Sequence, residues 1–449
     1  MTPIMVRIFP FKGIIYNKKK LANLTKVMAP PYDVISPELQ EELYETSDFN
    51  FIRLILGKEF LSDTIYNNRY VRAAAFLQGW LRHKIMLKDD QPNIYAYEQK
   101  FKAQGKPYSR LGFVSLLRLE ELGRGKVFPH EFTYPKAKLD RLQLMRASNA
   151  NFESIFSLYS DKKDKITKIL KAFTKRKPVI EVKDALGTVH RLWRVDRLPG
   201  INKIVQEMKD KAVYIADGHH RYEAALRFRD EMKQKNTKFS EDEAYNHIMM
   251  YFTPLEGAGL VVLPIHRVVR DLPFFDPKLF EENLAQFFDV SVFQATAKTT
   301  ETVRKKLVKD LAKAGEKGPA FGLYLGHNRF LLLTLKADQN VDEIVEEDRS
   351  PSWKRLDANI LHHAVFGKIL HMAHETEDKI LYTQNDDEAV AMVDAKKAQL
   401  AFLLNPVKIE QIIEIAGSFE KMPHKSTFFF PKLLSGLVLN NFDHNEKIV

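Results

Sequence analysis

The stretch from Val213 to Ala225, VYIADGHHRYEAA, decides how the middle of this 449-residue chain is interpreted. It opens with a short apolar run rich in strand formers, and that run stops at Asp217-Gly218. From Arg221 onward, strong helix formers with apolar residues at helical spacing predict a helix. The stretch therefore predicts a strand-to-helix turn that gathers an acid, a glycine, two histidines and an arginine.

The residue types at this turn suit a phosphate group. Gly218 lets the backbone bend or approach a ligand closely, and a helix start offers unpaired N–H groups and the positive end of the dipole. His219, His220 and Arg221 add donors, and arginine can hold two phosphate oxygens at once. We expect Asp217 to hold a metal ion, orient a histidine or accept a proton. This combination points to phosphoryl transfer, whereas a helix cap would explain only the aspartate.

A second polar cluster occurs in VFPHEFTYPKAKLDR, residues 127–141, where two prolines predict a loop. Glu131 is flanked by apolar residues and is a candidate general base, since partial burial can tune its pKa. Asn151 follows in ASNANFESIF and suits an amino acid or a phosphate as well as it suits a turn. We also expect several other side chains of this segment near the substrate or phosphate, namely His130, Thr133, Lys136, Lys138 and Arg141. For the lysines and the arginine, a solvated surface is the alternative.

Composition narrows the class of protein. Hydrophobic residues make up 45% of the chain and charged residues 28%, which is typical of a globular protein, and no run approaches the length of a membrane span. With no cysteine, disulfides, thiolate nucleophiles and cysteine-ligated metals are excluded. The start lacks the pattern of a secretory signal, so we expect a cytoplasmic location. The net charge of +11 indicates either a mildly basic solvated surface or anionic partners, which would be a small phosphate compound or nucleic acid.

The chain mixes strand and helix patterns throughout, which predicts an α+β, multi-domain protein. We divide it into an N-terminal α/β region over 1–115, a catalytic region with the DGHHR motif over 116–270, and a C-terminal α/β region over 271–449. Several familiar motifs are missing, namely HExxH, the GxxxxGK[ST] phosphate loop, GxGxxG and GxSxG. A tetrahedral zinc site is therefore disfavoured, and any phosphate transfer would proceed without a P-loop.

The segments IFPFKGIIYN, VMAPPYDVIS, IYAYEQKF, VFPHEFTYPKAKLDR, YIADGHHRYEAA, LPIHRVV and MPHKSTFFFPKLLSGLV, taken in order, resemble the family called domain of unknown function 1015. The DGHHR element is also similar to the motif of free L-serine kinases, which implies a central ParB/sulfiredoxin-like domain. That resemblance implies that Glu131 is the base and that Asp217 assists it. It also implies that His219, His220 and Arg221 hold phosphoryl oxygens.

The function implied is phosphorylation of free L-serine to O-phospho-L-serine, with inorganic pyrophosphate as donor and Mg²⁺ as cofactor. ATP and ADP stay open as donors. The alternative is a non-enzymatic ParB-like protein that binds nucleotide or DNA, which the charge favours and the dispersed basic residues disfavour. A hydrolase using the same pocket is a third hypothesis. Membrane partners are not expected, and the ending with Lys425, Ser426 and Lys432 either takes part in catalysis or docks the tail.

Overall fold

The computed structural model describes residues 5–372, 377–442 and 446–448. Their contacts form two compact units. The first comprises the chain up to Pro129, Thr133–Val261 and Pro431 onward, and the second comprises His130–Phe132 and Val262–Phe430. The boundary that we expected at residue 115 falls inside a strand of the first unit, so the division into three domains stays a prediction and these units have other bounds.

The first unit contains both strands and helices, as the mixed strand and helix patterns of its sequence predict. Its strands up to residue 261 are β1 (Ile8–Phe9), β2 (Ile14–Tyr16), β3 (Met86–Lys88), β4 (Ile94–Ala103), β5 (Lys106–Arg118), β6 (Val127–Phe128), β7 (Ala150–Asn151), β8 (Ile155–Tyr159), β9 (Ile180–Lys183), β10 (Val189–Val195), β11 (Val213–Asp217) and β12 (His247–Pro254). Its helices are α1 (Pro37–Thr46), α2 (Ile52–Ile55), α3 (Arg69–Arg82), α4 (Pro135–Ser148), α5 (Lys165–Thr174), α6 (Leu198–Met208) and α7 (His219–Lys235).

Among the described residues, nine strands of this unit share one sheet. The order along it is β6-β11-β8-β12-β5-β4-β10-β9, and β1 pairs with β5. Every residue of β8 and β12 is buried, which indicates that both faces of the middle of the sheet are covered, and both strands are accordingly mostly apolar. Most pairings are antiparallel, but β11 runs parallel to β6 and β12 runs parallel to β8. The sheet is therefore mixed, which agrees with the predicted α+β class.

The second unit is also a mixture of strands and helices. Its strands and α-helices are β13 (Val261–Leu263), β14 (His266–Val269), α8 (Pro277–Phe287), β15 (Phe288–Gln294), α9 (Thr300–Gly315), β16 (Ala320–Tyr324), β17 (Arg329–Leu335), α10 (Val341–Ile344), α11 (Pro351–Lys354), α12 (Asp357–Ile360), β18 (Ile380–Thr383), α13 (Asp386–Asp394), β19 (Leu400–Leu404), α14 (Ile409–Gly417) and β20 (Phe428–Phe430). A π-helix over Leu361–Ile369 follows α12. Its larger sheet has the order β15-β17-β16-β19-β14-β18 over the described residues. The core between that sheet and its helices is apolar, with Leu307, Tyr324 and Phe330 fully buried.

After β20 the chain returns to the first unit, where β21 (Asn440–Asn441) pairs with β7. Strand β21 thus belongs to the unit that contains the Asp217 turn. In the described part of the chain, no helix is both long and apolar enough to cross a membrane.

Candidate functional site

The Asp217 turn has the strand-turn-helix form that the sequence predicted. Strand β11 ends at Asp217, Gly218 follows with φ +95° and ψ 26°, and α7 begins at His219. That left-handed conformation favours glycine. A Cβ at Gly218 would lie 2.9 Å from Nε and Nη2 of Arg221, so a larger residue would collide with the guanidinium. The glycine therefore allows Arg221 to fold back over the turn.

Asp217 lies between two cations. Its Oδ2 accepts a hydrogen bond of 2.8 Å from Arg221 Nη2, and its Oδ1 accepts one from Lys432 Nζ. Burial alone would raise the pKa of Asp217, but the charges of Lys432 and Arg221 outweigh it and lower the pKa to about 2. The carboxylate is thus ionised at neutral pH, which leaves it as an acceptor.

Lys432 comes from the segment in which the chain returns to the first unit. Its Nζ also lies 3.7 Å from Oδ2 of Asp33, which follows the stiff AlaProProTyr turn. Burial alone would lower the pKa of Lys432, but the carboxylates of Asp217 and Asp33 raise it. The lysine is therefore a charged group held beside two acids. The sequence patterns did not single out Asp33, because its neighbours indicated only a turn.

Arg221 is buried and reaches past Asp217. Its Nη1 donates a hydrogen bond of 2.7 Å to the carbonyl of Ser154, while its buried Nε has no hydrogen-bond partner among the described residues. Buried donors in native proteins normally have partners, and a buried donor without a protein partner is a place where a water, an ion or a ligand can bind. An oxygen of a phosphate group would satisfy this N–H.

Glu153 and Arg141 extend the same group of charges. Glu153 accepts hydrogen bonds from Tyr32 N (3.2 Å) and Ser435 Oγ (2.9 Å), and Arg141 Nη1 lies 3.8 Å from its Oε2. Burial raises the pKa of Glu153, and the nearby arginines Arg221 and Arg141 oppose that rise. We call the following residues the charge cluster: Asp33, Arg141, Glu153, Asp217, Arg221 and Lys432.

The two histidines of the motif have different surroundings. His219 is buried at the first position of α7. His220 is partly exposed, and its Nε2 accepts a hydrogen bond of 3.0 Å from Tyr134 N. Burial lowers the pKa of His220, which favours the neutral ring that can accept this bond. Donation to a phosphate oxygen would therefore have to come from Nδ1 of His220, and both phosphate contacts stay predictions.

The prediction of a loop over residues 127–141 is wrong for its second half. Pro135 occupies the first position of α4, where a missing N–H costs nothing, and the helix continues through Arg141. Lys136 is exposed on this helix. Lys138 Nζ and Thr133 Oγ1 both donate to Glu223 Oε2, at 2.9 and 2.8 Å. These three side chains thus face solvent or a carboxylate, and their phosphate or substrate roles stay predictions.

Arg141 and Asn151 hold backbone groups in the structure. Arg141 donates to the Ile55 carbonyl at 2.9 Å and lies over the ring of Tyr32, with its carbon 3.8 Å from the centroid. Asn151 accepts a hydrogen bond of 3.2 Å from Met249 N, and the Nδ2 of this buried side chain has no hydrogen-bond partner among the described residues. Both residues lie in the first unit, with Arg141 next to Glu153.

His130 and Glu131 belong to the second unit. His130 is buried, with its Nε2 2.9 Å from Thr427 Oγ1, and its carbonyl accepts a hydrogen bond of 2.7 Å from Met422 N. The Oε1 of Glu131 lies 3.6 Å from Nδ1 of His424. The sequence predicts that Glu131 is the general base of the site that contains Asp217. Because the two residues belong to different units, that role stays a prediction.

The side chains around Asp217 do not form a preorganised binding site for Mg²⁺. Over the described part of the chain, no cluster of three or more histidine and carboxylate side chains is arranged to hold a metal. Both oxygens of Asp217 already accept hydrogen bonds from cationic groups, so a metal bound there would have to displace Lys432 or Arg221. The predicted metal role of Asp217 therefore lacks support from the geometry.

Comparison with known proteins identifies the family to which the chain belongs. The family model for a protein of unknown function, DUF1015, matches residues 8–359. The chain belongs to this family. Among curated proteins, none matches the sequence.

Solved structures show only a distant likeness. A conserved hypothetical protein from Pyrococcus furiosus is 13% identical, with a TM-score of 0.31 over 69% of this chain and 89% of its own. A free serine kinase in complex with AMP is 12% identical, with a TM-score of 0.32 over 72% of this chain and 90% of its own. SbnI from Staphylococcus aureus, truncated at its C-terminus, is 10% identical, with a TM-score of 0.31 over 69% and 82%. At these TM-scores, the function has to be argued from the site.

Proposed function

We propose that the protein is a phosphotransferase that converts free L-serine to O-phospho-L-serine with inorganic pyrophosphate as donor. The observation that carries the phosphoryl part is Arg221 Nε, a buried cationic donor without a hydrogen-bond partner in the described residues, at the start of α7. Lys432 and the N–H groups of the first helical turn add positive charge beside it. Serine and pyrophosphate come from the resemblance of the DGHHR motif.

The proposed step is an in-line displacement in which catalysis consists of positioning and charge neutralisation. The serine Oγ forms a bond to one phosphorus of pyrophosphate, and the bridging P–O bond breaks, so that inorganic phosphate leaves. The hydroxyl proton passes to a carboxylate, which the sequence resemblance assigns to Glu131. Arg221, Lys432 and His220 would hold phosphoryl oxygens, while Asp217 keeps the two cations in place before the donor binds.

Product analysis tests this function. The purified protein is incubated with L-serine, MgCl₂ and pyrophosphate, ATP or ADP in separate reactions, and phosphoserine is followed by phosphorus NMR. We expect phosphoserine and inorganic phosphate in equal amounts with pyrophosphate. Phosphate released equally fast without serine would indicate a hydrolase, and no phosphoserine with any donor would refute the proposal.

The second candidate is a nucleotide- or DNA-binding regulatory protein, which the net charge of +11 favours. Binding of this kind depends steeply on salt, because each neutralised phosphate releases counterions. Anisotropy of a labelled duplex at increasing salt checks it. Strong binding at low salt that falls steeply as salt rises, without phosphoserine formation, would favour this candidate.

A further inference from the structure

The backbone that carries Lys432 is held by three buried side chains of the central sheet. Arg110 on β5 donates from Nη2 to the carbonyl of Pro431. Gln99 on β4 donates from Nε2 to the carbonyl of Lys432 at 3.0 Å, and Tyr97 on β4 accepts from Leu434 N at 3.3 Å. These contacts tie a segment of four residues to the sheet at three points. The side chain of Lys432 meets Asp217 from the same segment.

Arg110 is an unusual residue for a core. It is 2% exposed, and burial lowers the pKa of its guanidinium. Its Nε also donates to Gln99 Oε1 at 3.1 Å, and its carbon lies 4.6 Å from the ring centroid of Phe156. Apolar side chains could fill this space without burying a charge, and burying a charge is costly. A charged donor adds a directional hydrogen bond to a carbonyl, which fixes where that backbone lies.

Tyr97 is itself oriented by a chain of hydrogen bonds. His190 Nδ1 lies 2.7 Å from Tyr97 Oη, and His190 Nε2 lies 3.0 Å from Asp184 Oδ2. Because the N–H of Leu434 points at the tyrosine oxygen, we assign the tyrosine proton to His190 Nδ1 and the histidine proton to Nε2, toward Asp184. Burial lowers the pKa of His190, which favours this neutral form. These hydrogen bonds therefore keep the Tyr97 oxygen as an acceptor directed at the N–H of Leu434.

We propose that Tyr97, Gln99 and Arg110 form a clamp that positions Lys432 for the phosphate groups of the donor. They are positioning residues, since each acts through the backbone at residues 431–434. The phosphate part of this inference rests on the proposed function. The placement of Lys432 against Asp217 does not, so the two can be tested separately.

Chemical labelling tests the placement without any activity. Lys432 is acetylated with an N-hydroxysuccinimide ester, and its rate is followed by peptide mass spectrometry in wild type, Tyr97→Phe, Gln99→Met and Tyr95→Phe. Tyr95 is the matched control, because it is a buried tyrosine of the same strand whose hydroxyl binds Gly13 N at 2.8 Å instead. We expect labelling about fivefold faster in Tyr97→Phe and Gln99→Met, and unchanged in Tyr95→Phe. An unchanged rate in both clamp variants would overturn the proposal.

A double-mutant cycle tests the link to phosphate. Pyrophosphate affinity is measured for wild type, Tyr97→Phe, Lys432→Met and the double variant. If the clamp acts through Lys432, Tyr97→Phe weakens pyrophosphate binding when the lysine is present and leaves it unchanged in the Lys432→Met background. Equal losses in both backgrounds would overturn the clamp. If wild type binds no pyrophosphate, the proposed function fails, whereas the labelling rates still decide the clamp.

Discussion

The charge cluster of the first unit and the Glu131–His424 pair of the second unit show two ways to hold a carboxylate. In the cluster, Asp217 is held by two cations and has a pKa of about 2, which suits it to fix charges rather than to take up a proton. Oε1 of Glu131 lies 3.6 Å from Nδ1 of His424, and about a quarter of the Glu131 side chain is exposed. A general base needs an oxygen that is open to the substrate. The cluster therefore holds its carboxylate between cations, whereas Glu131 keeps the exposure that its proposed role as general base requires.

The largest expected effect comes from Glu131→Gln. If Glu131 accepts the serine proton, turnover falls by about 10²- to 10⁴-fold, the usual contribution of a general base, while pyrophosphate affinity stays the same. Asp33→Asn is the informative partner variant, because Asp33 is the carboxylate of the cluster whose side chain is about one third exposed. Steady-state kinetics with both variants decide the comparison. Normal turnover in Glu131→Gln together with its loss in Asp33→Asn would place the base in the cluster.

Next in size is the effect of Asp217→Asn on folding. The substitution removes the carboxylate that contacts both Arg221 and Lys432, and breaking a buried pair costs about 3 kcal/mol of unfolding free energy. Asp196→Asn removes one partner of the exposed Arg176–Asp196 pair and should cost less than about 1 kcal/mol. Urea unfolding of both variants measures the difference. Equal losses would show that the cluster behaves like a surface ion pair.

The sequence predicted the local structure around Asp217 but did not predict which residues would pair with its carboxylate. The strand, the turn at Gly218 and helix α7 follow from the residue order and were confirmed. Lys432 could not be placed beside Asp217, because 215 positions separate the two residues and only folding brings them together. Residue patterns report local structure, and the partners of a buried charge depend on the whole fold.

The start of α4 shows a local limit. Pro135 was interpreted as a breaker, whereas proline at the first helical position begins a helix as readily as it ends one. The residues from Lys136 to Arg141 therefore lie on a helix. The α+β class was predictable because strand and helix patterns are mixed along the whole chain. The sheet order was not, because β6, β11 and β8 are neighbours that lie far apart in sequence.

The free energy of unfolding should depend on pH through Asp217, with a smaller effect than that of the Asp217→Asn substitution. The pKa of Asp217 is lowered from 3.8 to about 2 in the folded protein, so its stabilising contribution is present above pH 3.8 and is lost as the pH falls toward 2. We expect wild type to lose on the order of 2 kcal/mol in this window through Asp217. Urea unfolding at several pH values should give a shallower acid decline for Asp217→Asn. Parallel curves would contradict the shift.

Gly218→Ala should destabilise the fold to a similar extent, because it acts on the turn itself. Alanine at φ +95° is strained, and its Cβ would meet the guanidinium of Arg221 at 2.9 Å, so we expect a loss of about 2 kcal/mol. Gly105→Ala is the matched control, with φ +75° and no atom within 4 Å of an added Cβ, and it should lose about 1 kcal/mol. Thermal unfolding measures both. An equal loss would mean that Arg221 moves away freely.

The most direct test of the phosphate site is a titration of pyrophosphate by calorimetry into wild type, Arg221→Lys and Arg227→Lys. Arg221→Lys keeps a positive charge in the pair with Asp217 but removes the Nε–H and the planar fork. Arg227 is the control, because it lies on the same helix with about two thirds of its side chain exposed. We expect wild type and Arg227→Lys to bind alike and Arg221→Lys to bind at least about tenfold more weakly. Equal affinity in all three proteins would contradict a phosphate site at the Asp217 turn.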